Sequence, residues 1–307
     1  MTDGPAVRVT GLVKSYGDRE VLRGLSFTAP RGAVTALLGP NGAGKSTAIE
    51  VCVGLRRADA GSVSVLDRDP QHDGAQLRPR VGMMLQAGGI PSGARAAEFV
   101  GHVASLYADP LAAGPLLRVL ELDRLGRTTF RRMSGGEQAR LRLACAIVGR
   151  PELVFLDEPT AGLDPEGRDL VWELVLALRA AGVSVVLCTH HLDEAERLAD
   201  HVVIVDGGVT AATGATAELT GAAATDSLSF RAGAHLDVAG LERALPAGHA
   251  VRETAVGSYR VDGHVDPQTL AAVTAWCAQH GVMAADLRIG RRSLEDVYRA
   301  ATGGTLP

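Results

Sequence analysis

The sequence predicts an α/β domain with a largely parallel sheet, followed by a smaller α+β domain. Up to about Asp206, short β-branched and leucine-rich runs alternate with longer helical patterns, as they do in βαβ units. After residue 221 the order changes to strand, helix, two strands, helix and strand. In a chain of 307 residues, we therefore predict domains at 1–221 and 222–307.

In the first domain, hydrophobic patterning places most elements. Residues 7–9 and 21–27 alternate like strands of a half-exposed antiparallel sheet. Strand signals then vanish between Gly88 and Thr129, so a helical insertion is predicted at about 88–150. Its helices are predicted at 96–106 and 116–122. Continuous apolar runs predict buried parallel strands at residues 34–38, 153–156, 183–187 and 202–205.

Residues 211–225 are rich in Ala, Gly and Thr and are predicted to connect the domains. In the second domain, Asp266 and Pro267 are typical of a helix start. The order βαββαβ is the ferredoxin-like arrangement, and a short helix from 293 to 301 is expected to close it. The predicted elements are strands at 227–231, 251–254, 258–261 and 285–289, and helices at 238–245 and from Pro267.

Composition excludes several classes of protein. With 46% apolar and 21% charged residues, the chain is neither disordered nor fibrous. It has no apolar run of 18 residues and no secretory leader, so we expect a cytoplasmic protein unless a partner carries it to a membrane. A net charge of −4 without a basic block argues against a nucleic-acid partner. Four scattered cysteines are typical of small buried side chains in a reducing compartment.

A glycine-rich segment fits the phosphate-loop pattern G-x-x-x-x-G-K-[ST] and lies between a predicted strand and a predicted helix. Glycines let backbone N–H groups surround phosphate, and the helix directs its positive end at the same charge. We expect Lys45 to reach the β- and γ-phosphates and Ser46 to give its hydroxyl to Mg²⁺. The alternative is a plain glycine-rich turn. The predicted phosphate-binding residues are Gly39, Pro40, Asn41, Gly42, Ala43, Gly44, Lys45, Ser46 and Thr47.

Two further motifs are suited to phosphate chemistry. Asp157 and Glu158 follow a buried strand, where Asp157 is predicted to hold the metal and Glu158 to take a proton from water. Read alone, such an acid pair is typical of a solvated loop. Ser134, Gly135 and Gly136 precede a helix and offer a hydroxyl and several N–H groups to a second phosphate-sized site. A simple helix N-cap is the alternative.

These motifs, written GPNGAGKST, MSGGEQ and LVFLDEPTAGLD, occur in the order and spacing of ABC-type ATPases. The chain resembles that family from about residue 7 to residue 220. The resemblance implies a P-loop ABC-ATPase fold that binds ATP with Mg²⁺. It also implies that the Ser134 segment closes on the ATP held by a second copy, in a head-to-tail dimer.

The same resemblance supplies roles for isolated residues. Tyr16 matches the aromatic side chain that stacks on adenine, and Gln86 matches the glutamine that reaches Mg²⁺ and water and senses the transporter. Asp164 matches the loop that crosses the dimer, and His190 matches the histidine that contacts the γ-phosphate. His191 is one position out of register and receives no role.

Three segments refine the class. Glu137 precedes the usual signature glutamine, so its carboxylate either weakens ATP capture or faces away. Residues 87–95 depart from the commoner acidic pattern, which we interpret as a feature of a particular membrane partner. Residues 292–303 resemble the closing helix of ATPase subunits from drug-resistance exporters of the daunorubicin-resistance kind, which pair with a separate type 2 permease.

We therefore hypothesise that the chain is the ATP-hydrolysing subunit of an exporter of drug, antibiotic or lipid-like cargo. It would be peripheral on the inner face of the cell membrane through its permease. The alternatives are a soluble ABC ATPase of translation or DNA repair, and a nucleotide switch without turnover. The chain has one cassette, with 88 residues and no sustained heptads between Lys45 and Ser134, which disfavours the soluble class. The presence of Glu158 disfavours the switch.

Overall fold

A computed structural model describes residues 4–86, 88–220, 227–290 and 293–304 of the chain. These residues form two compact units, one comprising the residues up to Gly214 together with Gly304 and the other running from Ala215 to Gly303. The predicted boundary between residues 221 and 222 lies outside the described residues, as do Ala87 and Arg292 at the starts of two segments singled out above.

Strands and helices alternate through both units. The strands are β1 (Val7–Tyr16), β2 (Arg19–Ala29), β3 (Val34–Leu38), β4 (Ala60–Val65), β5 (Val81–Met84), β6 (Leu153–Asp157), β7 (Ser184–Thr189), β8 (His201–Asp206), β9 (Val209–Ala215), β10 (Ser227–Arg231), β11 (Ala250–Ala255), β12 (Ser258–Asp262) and β13 (Ala285–Gly290). The helices are α1 (Lys45–Cys52), α2 (Gly74–Leu77), α3 (Ala96–Ala104), α4 (Ala113–Val119), α5 (Gly135–Ile147), α6 (Pro165–Ala180), α7 (Leu192–Leu198), α8 (Thr216–Leu219), α9 (Val238–Ala244), α10 (Pro267–Gln279) and α11 (Leu294–Thr302). Short 3-10 helices lie at Arg78–Arg80, Asp123–Leu125 and Phe130–Arg132.

The main sheet has the strand order β5-β6-β7-β3-β8-β9, and its first five strands pair in parallel. Every residue of β3, β6 and β7 is buried, because α5 and α6 cover one face of the sheet while α1, β1 and β2 cover the other. A second, antiparallel sheet has the order β2-β1-β4. The predicted α/β class is confirmed, and the carboxyl ends of the parallel strands meet at one edge.

The prediction that residues 211–225 are only a connection is wrong for the described part of that segment. Residues 209–215 form β9 at the edge of the main sheet, and 216–219 form α8; Thr225 lies outside the described residues. Gly207 and Gly208 both have positive φ, 52° and 83°, which is the backbone of a tight hairpin turn. The turn places β9 at the edge of the sheet, although the Ala- and Thr-rich sequence of β9 is only a weak strand signal. Strand β4 was also missed because its sequence is a weak strand signal.

The helical insertion has its own packing within the first unit. Helices α3 and α4 fall where strand signals vanish, although α4 begins at Ala113, earlier than the predicted residue 116. Val100 on α3 and Leu116 and Leu117 on α4 are buried in one cluster with the apolar face of α5. This packing holds the start of α5, where the Ser134 segment lies.

In the second unit the strand order is β11-β12-β10-β13, with antiparallel pairs throughout. The predicted ferredoxin-like arrangement is confirmed. Asp266 caps α10 by accepting a hydrogen bond from the Thr269 N–H at 2.7 Å. Val273, Trp276 and Cys277 of α10 are buried, as the apolar pattern predicts.

Helix α6, with 16 residues, is the longest in the described part of the chain. None of the described helices has the length and apolar character needed to cross a bilayer.

Candidate active site

The phosphate-loop motif lines a cavity of about 350 Å³ in the first unit. All of its lining residues except Arg19 and Val21 were predicted from the sequence as site residues. A larger cavity of about 740 Å³ belongs to the second unit and contains none of the predicted site residues. The residues lining the first cavity are Arg19, Val21, Asn41, Gly42, Gly44, Lys45, Ser46, Thr47, Gln86 and Glu158.

The phosphate loop joins the carboxyl end of β3 to the amino end of α1. Gly44 is the N-cap of α1 with φ of 103°, a conformation that favours glycine, and a Cβ there would lie 2.6 Å from Leu22. Lys45 follows it and is 5% exposed. Its ammonium donates hydrogen bonds to the carbonyl oxygens of Gly39 at 2.6 Å and Pro40 at 3.1 Å. The loop therefore holds a buried cation beside unpaired helix N–H groups.

Glu158 is the first residue after β6 and has a strained backbone. Its φ of 51° is in the left-handed region, which costs a non-glycine residue on the order of 1 kcal/mol. Its N–H donates to the Cys188 carbonyl of β7 at 3.0 Å, which holds the conformation. Asp157, the last residue of β6, is also buried. Both carboxylates are thus placed at the edge where the phosphate loop lies.

Glu158 connects the phosphate loop to His190, which follows β7. Nδ1 of His190 lies 2.8 Å from Oε1 of Glu158, and because a carboxylate only accepts, that nitrogen donates. The Lys45 ammonium lies 3.9 Å from the same oxygen. Among the described residues, the buried Oε2 of Glu158 has no hydrogen-bond partner. A buried acceptor of this kind suits a water molecule.

Asp157 has the electrostatics of a metal ligand. Burial and the negative charge of Glu158 raise its pKa above the ordinary value, while the nearby Ser46 hydroxyl and the charge of Lys45 act in the opposite direction. Its buried Oδ1 has no partner among the described residues. A carboxylate oxygen and a hydroxyl oxygen are ligands that Mg²⁺ accepts, so the residues present fit the ion.

Ser134 and Glu137 form a reciprocal cap at the start of α5. The Ser134 hydroxyl accepts from the Glu137 N–H at 3.2 Å, and the Glu137 carboxylate accepts from the Ser134 N–H at 2.7 Å. The unusual glutamate therefore turns back to cap its own helix. Ser134, Gly135 and Gly136 do not line the cavity of their own chain.

The other predicted residues outside that cavity lining are Gly39, Pro40, Ala43, Asp157, His190, Asp164 and Tyr16. Asp164 is the N-cap of α6, and its carboxylate accepts from the Gly167 N–H at 3.0 Å. Tyr16 ends β1 with 41% of its surface exposed, and the cationic groups of Lys14 and Arg56 each lie 5.7 Å from its ring centre. An exposed, cation-flanked ring is suited to stacking on a base.

Besides Val21, sequence reasoning missed two charged residues of the site region. Arg19 opens β2, pairs in register with Tyr16, and has its guanidinium 3.8 Å from where a Cβ of Gly42 would be. Glu194 on α7 is fully buried and accepts hydrogen bonds from Thr160 at 3.0 Å and from the Trp172 indole at 3.2 Å. Burial raises the pKa of Glu194, which those donors partly oppose. It ties the segment after Glu158 to α6 and α7.

A parallel sheet, a glycine-rich loop with a buried lysine after β3, and an acid pair at the end of β6 in the same sheet define a P-loop nucleotide hydrolase. The ABC transporter family model matches residues 22–161. The daunorubicin resistance ATP-binding protein DrrA3 of Streptomyces coeruleorubidus is 35% identical over 97% of this chain and 96% of its own length.

Two further comparisons agree. The Nod factor export ATP-binding protein I of Sinorhizobium fredii is 39% identical, over 66% of this chain and 61% of that protein. A solved structure described as the ATP-binding subunit of an ABC transporter is 28% identical and superposes with a TM-score of 0.64, over 71% of this chain and 92% of its own. The chain belongs to the family of ABC transporter ATP-binding proteins.

The family assignment confirms the predicted resemblance, the P-loop ABC-ATPase fold and the enzymatic activity. The chain binds and hydrolyses ATP to power an ABC exporter, and the soluble translation or repair alternative is not favoured.

Proposed function

We propose that Lys45, Glu158 and His190 are the groups that bind and hydrolyse ATP in this exporter subunit. The observation that carries the proposal is their convergence on one point of the phosphate-loop cavity, where Oε1 of Glu158 lies 2.8 Å from His190 and 3.9 Å from Lys45. Lys45 compensates the β- and γ-phosphate charge, Glu158 orients and deprotonates the attacking water, and His190 holds the γ-phosphate.

Mg²⁺ is the proposed metal cofactor, because Asp157 offers an unpartnered buried oxygen and Ser46 adds a hydroxyl close to it. Gln86, which lines the same cavity, is the third proposed ligand. The ion, when bound, neutralises phosphate charge that develops during cleavage. Asp157 and Ser46 would hold the ion in a fixed place, and Gln86 would add a neutral amide oxygen.

The Ser134 segment is proposed to bind the ATP of a second copy. Ser134, Gly135 and Gly136 present helix N–H groups and a hydroxyl but are absent from the cavity of their own chain. In a two-fold dimer each segment faces the other chain's phosphate loop, so both sites form together. Asp164 and Tyr16 are proposed to contact the partner and the adenine, respectively. Binding of ATP closes the dimer, and hydrolysis reopens it.

We propose a separate type 2 permease as the membrane partner and a drug, antibiotic or lipid-like compound as cargo. The relatives' names support this range, since one concerns daunorubicin resistance and another Nod factor export. The subunit would then be held at the inner face of the membrane by its permease.

The export role is tested in sealed inside-out vesicles that contain this chain and a candidate type 2 permease. We expect uptake of a labelled candidate drug to require ATP and to disappear with Glu158→Gln, although the two proteins still assemble. ATPase activity that responds to ribosomes or DNA and ignores the membrane protein would favour the soluble alternative.

Residues 222–307 are proposed to be an accessory domain that stabilises or regulates the assembly without chemistry. The second unit has its own apolar core around Phe230, Tyr259 and Trp276, and every proposed site residue lies in the first unit. A chain ending at Thr225 should bind ATP with near-normal affinity, while stability, dimer lifetime or transport falls. Loss of nucleotide binding from a cassette that remains folded by circular dichroism would contradict this division.

A further inference from the structure

His191 has no role in ATP hydrolysis as proposed above, yet it lies beside two residues that do. The donor atoms of Glu158, His190 and His191 all lie within 4.8 Å of one another. Across the residues that the structure describes, no other group of three His, Cys, Asp or Glu side chains converges in this way. Glu158 is buried, and both histidines are half-buried, so a small ion can reach all three.

The local backbone leaves the His191 imidazole available. His191 is the N-cap of α7, but its side chain makes no capping hydrogen bond. Its N–H donates to the Thr189 hydroxyl at 2.9 Å, which fixes the backbone, and its ring centre lies 4.0 Å from that of His190. The two imidazoles therefore stand side by side next to a carboxylate.

Two imidazoles and one carboxylate form the ligand set of many zinc hydrolases, with a fourth position open to water. Imidazole nitrogen favours Zn²⁺, Co²⁺ and similar ions over Mg²⁺, which prefers oxygen. With metal–ligand bonds of about 2.0–2.1 Å, tetrahedral donors are about 3.3 Å apart. Half-buried histidine rings reach that spacing by rotating about their side-chain bonds.

We propose that Glu158, His190 and His191 form a site for a Zn²⁺-like divalent cation, and that this cation inhibits ATP hydrolysis. A metal-bound Glu158 cannot accept the proton of water, and a metal-bound His190 cannot contact the γ-phosphate. The inhibitory effect rests on the proposed function of these two residues, whereas metal binding itself does not. Lys45, 3.9 Å from Glu158, repels the cation and favours reversible occupation.

Direct binding is measured on the nucleotide-free full chain, by calorimetry with Zn²⁺ and by the visible absorption of Co²⁺. We expect His191→Ala to weaken binding at least tenfold, since loss of even an outer-shell partner costs about 10–100-fold. His191→Asn, which keeps a favoured N-cap residue, should weaken metal binding as much as His191→Ala does. His72→Ala is the matched control, because His72 is an exposed histidine that pairs with Asp69, at 2.9 Å, away from Glu158 and His190 in the sequence.

Inhibition is then measured at zinc concentrations fixed by a competing chelator, because ATP itself binds Zn²⁺. Both His191 variants should keep the wild-type Mg²⁺-dependent rate and need at least about tenfold more free Zn²⁺ for half-inhibition. The proposal would be overturned if wild type and His191→Ala had the same zinc affinity and the same inhibition by zinc. It would also be overturned if His72→Ala lost as much zinc affinity as His191→Ala. A wild-type chain that binds Zn²⁺ but is not inhibited would keep the site and refute its inhibitory role.

Discussion

Glu158→Gln is expected to bind ATP with near wild-type affinity while turnover falls at least about a hundredfold, the usual scale for loss of a general base. The amide keeps the size of the side chain and can still accept from Nδ1 of His190, which now lies 2.8 Å from the carboxylate. It has no basicity, so the attacking water keeps its proton. Equilibrium binding of a fluorescent ATP analogue and steady-state phosphate release measure the two effects separately.

Glu152→Gln is the matched control, because Glu152 precedes the first residue of β6 and Glu158 follows the last. Glu152 accepts two hydrogen bonds from Arg80, at 2.6 and 2.8 Å, at the opposite end of β6 from the phosphate loop. The control should therefore retain its turnover. If binding and turnover fall together in Glu158→Gln, the glutamate holds nucleotide and is not the base.

Lys45→Ala should reduce ATP affinity at least about a hundredfold. Hydrogen bonds to charged groups contribute about 1.5–3 kcal/mol each, and we expect the ammonium to exchange its present bonds to the Gly39 and Pro40 carbonyls for two with the phosphates. Because Lys45 is buried, water cannot easily compensate the phosphate charge once the ammonium is removed. Isothermal titration with ATP in the presence of Mg²⁺ measures the change.

Lys14→Ala removes the same charge from the only other lysine of the chain. Lys14 forms an ion pair with Asp59 at 2.7 Å, and its ammonium lies 5.7 Å from the Tyr16 ring, a cation–π contact that contributes about 0.5–1 kcal/mol; this variant should therefore bind ATP within a few-fold of wild type. Similar losses in both variants would mean that general electrostatics, and not the phosphate loop, determines affinity.

The parts of the site that sequence reasoning predicted are those whose chemistry is local. The phosphate loop needs glycine where a side chain would meet a neighbour, as at Gly44, and the acid pair follows an apolar run that can only be a buried strand. These constraints act within a few residues. The placement of both motifs at one edge of the main sheet then follows from the parallel pairing of β3, β6 and β7.

The residues that were missed depend on tertiary contacts. Arg19 approaches the phosphate loop only because β1 and β2 pair with Tyr16 opposite Arg19. Glu194 looks like a surface residue in an acidic helix, and only the packing of α6 and α7 buries it. Glu137 is different, because the spacing of Ser134 and Glu137 is the local pattern of a capping box, which our reading of the sequence did not apply. The formation of β9 also depends on a tertiary contact, its pairing with β8 at the edge of the main sheet.

The central claim is that two copies share each ATP, and sedimentation velocity of Glu158→Gln with and without ATP tests it most directly. The double variant with Ser134→Asp is the control, because aspartate is as good an N-cap as serine but repels phosphate. We predict a dimer for Glu158→Gln with ATP and a monomer without it, while the double variant binds ATP and stays monomeric. The account is contradicted if the double variant dimerises equally well. It is also contradicted if Glu158→Gln remains monomeric at saturating ATP with the permease's cytoplasmic segments supplied.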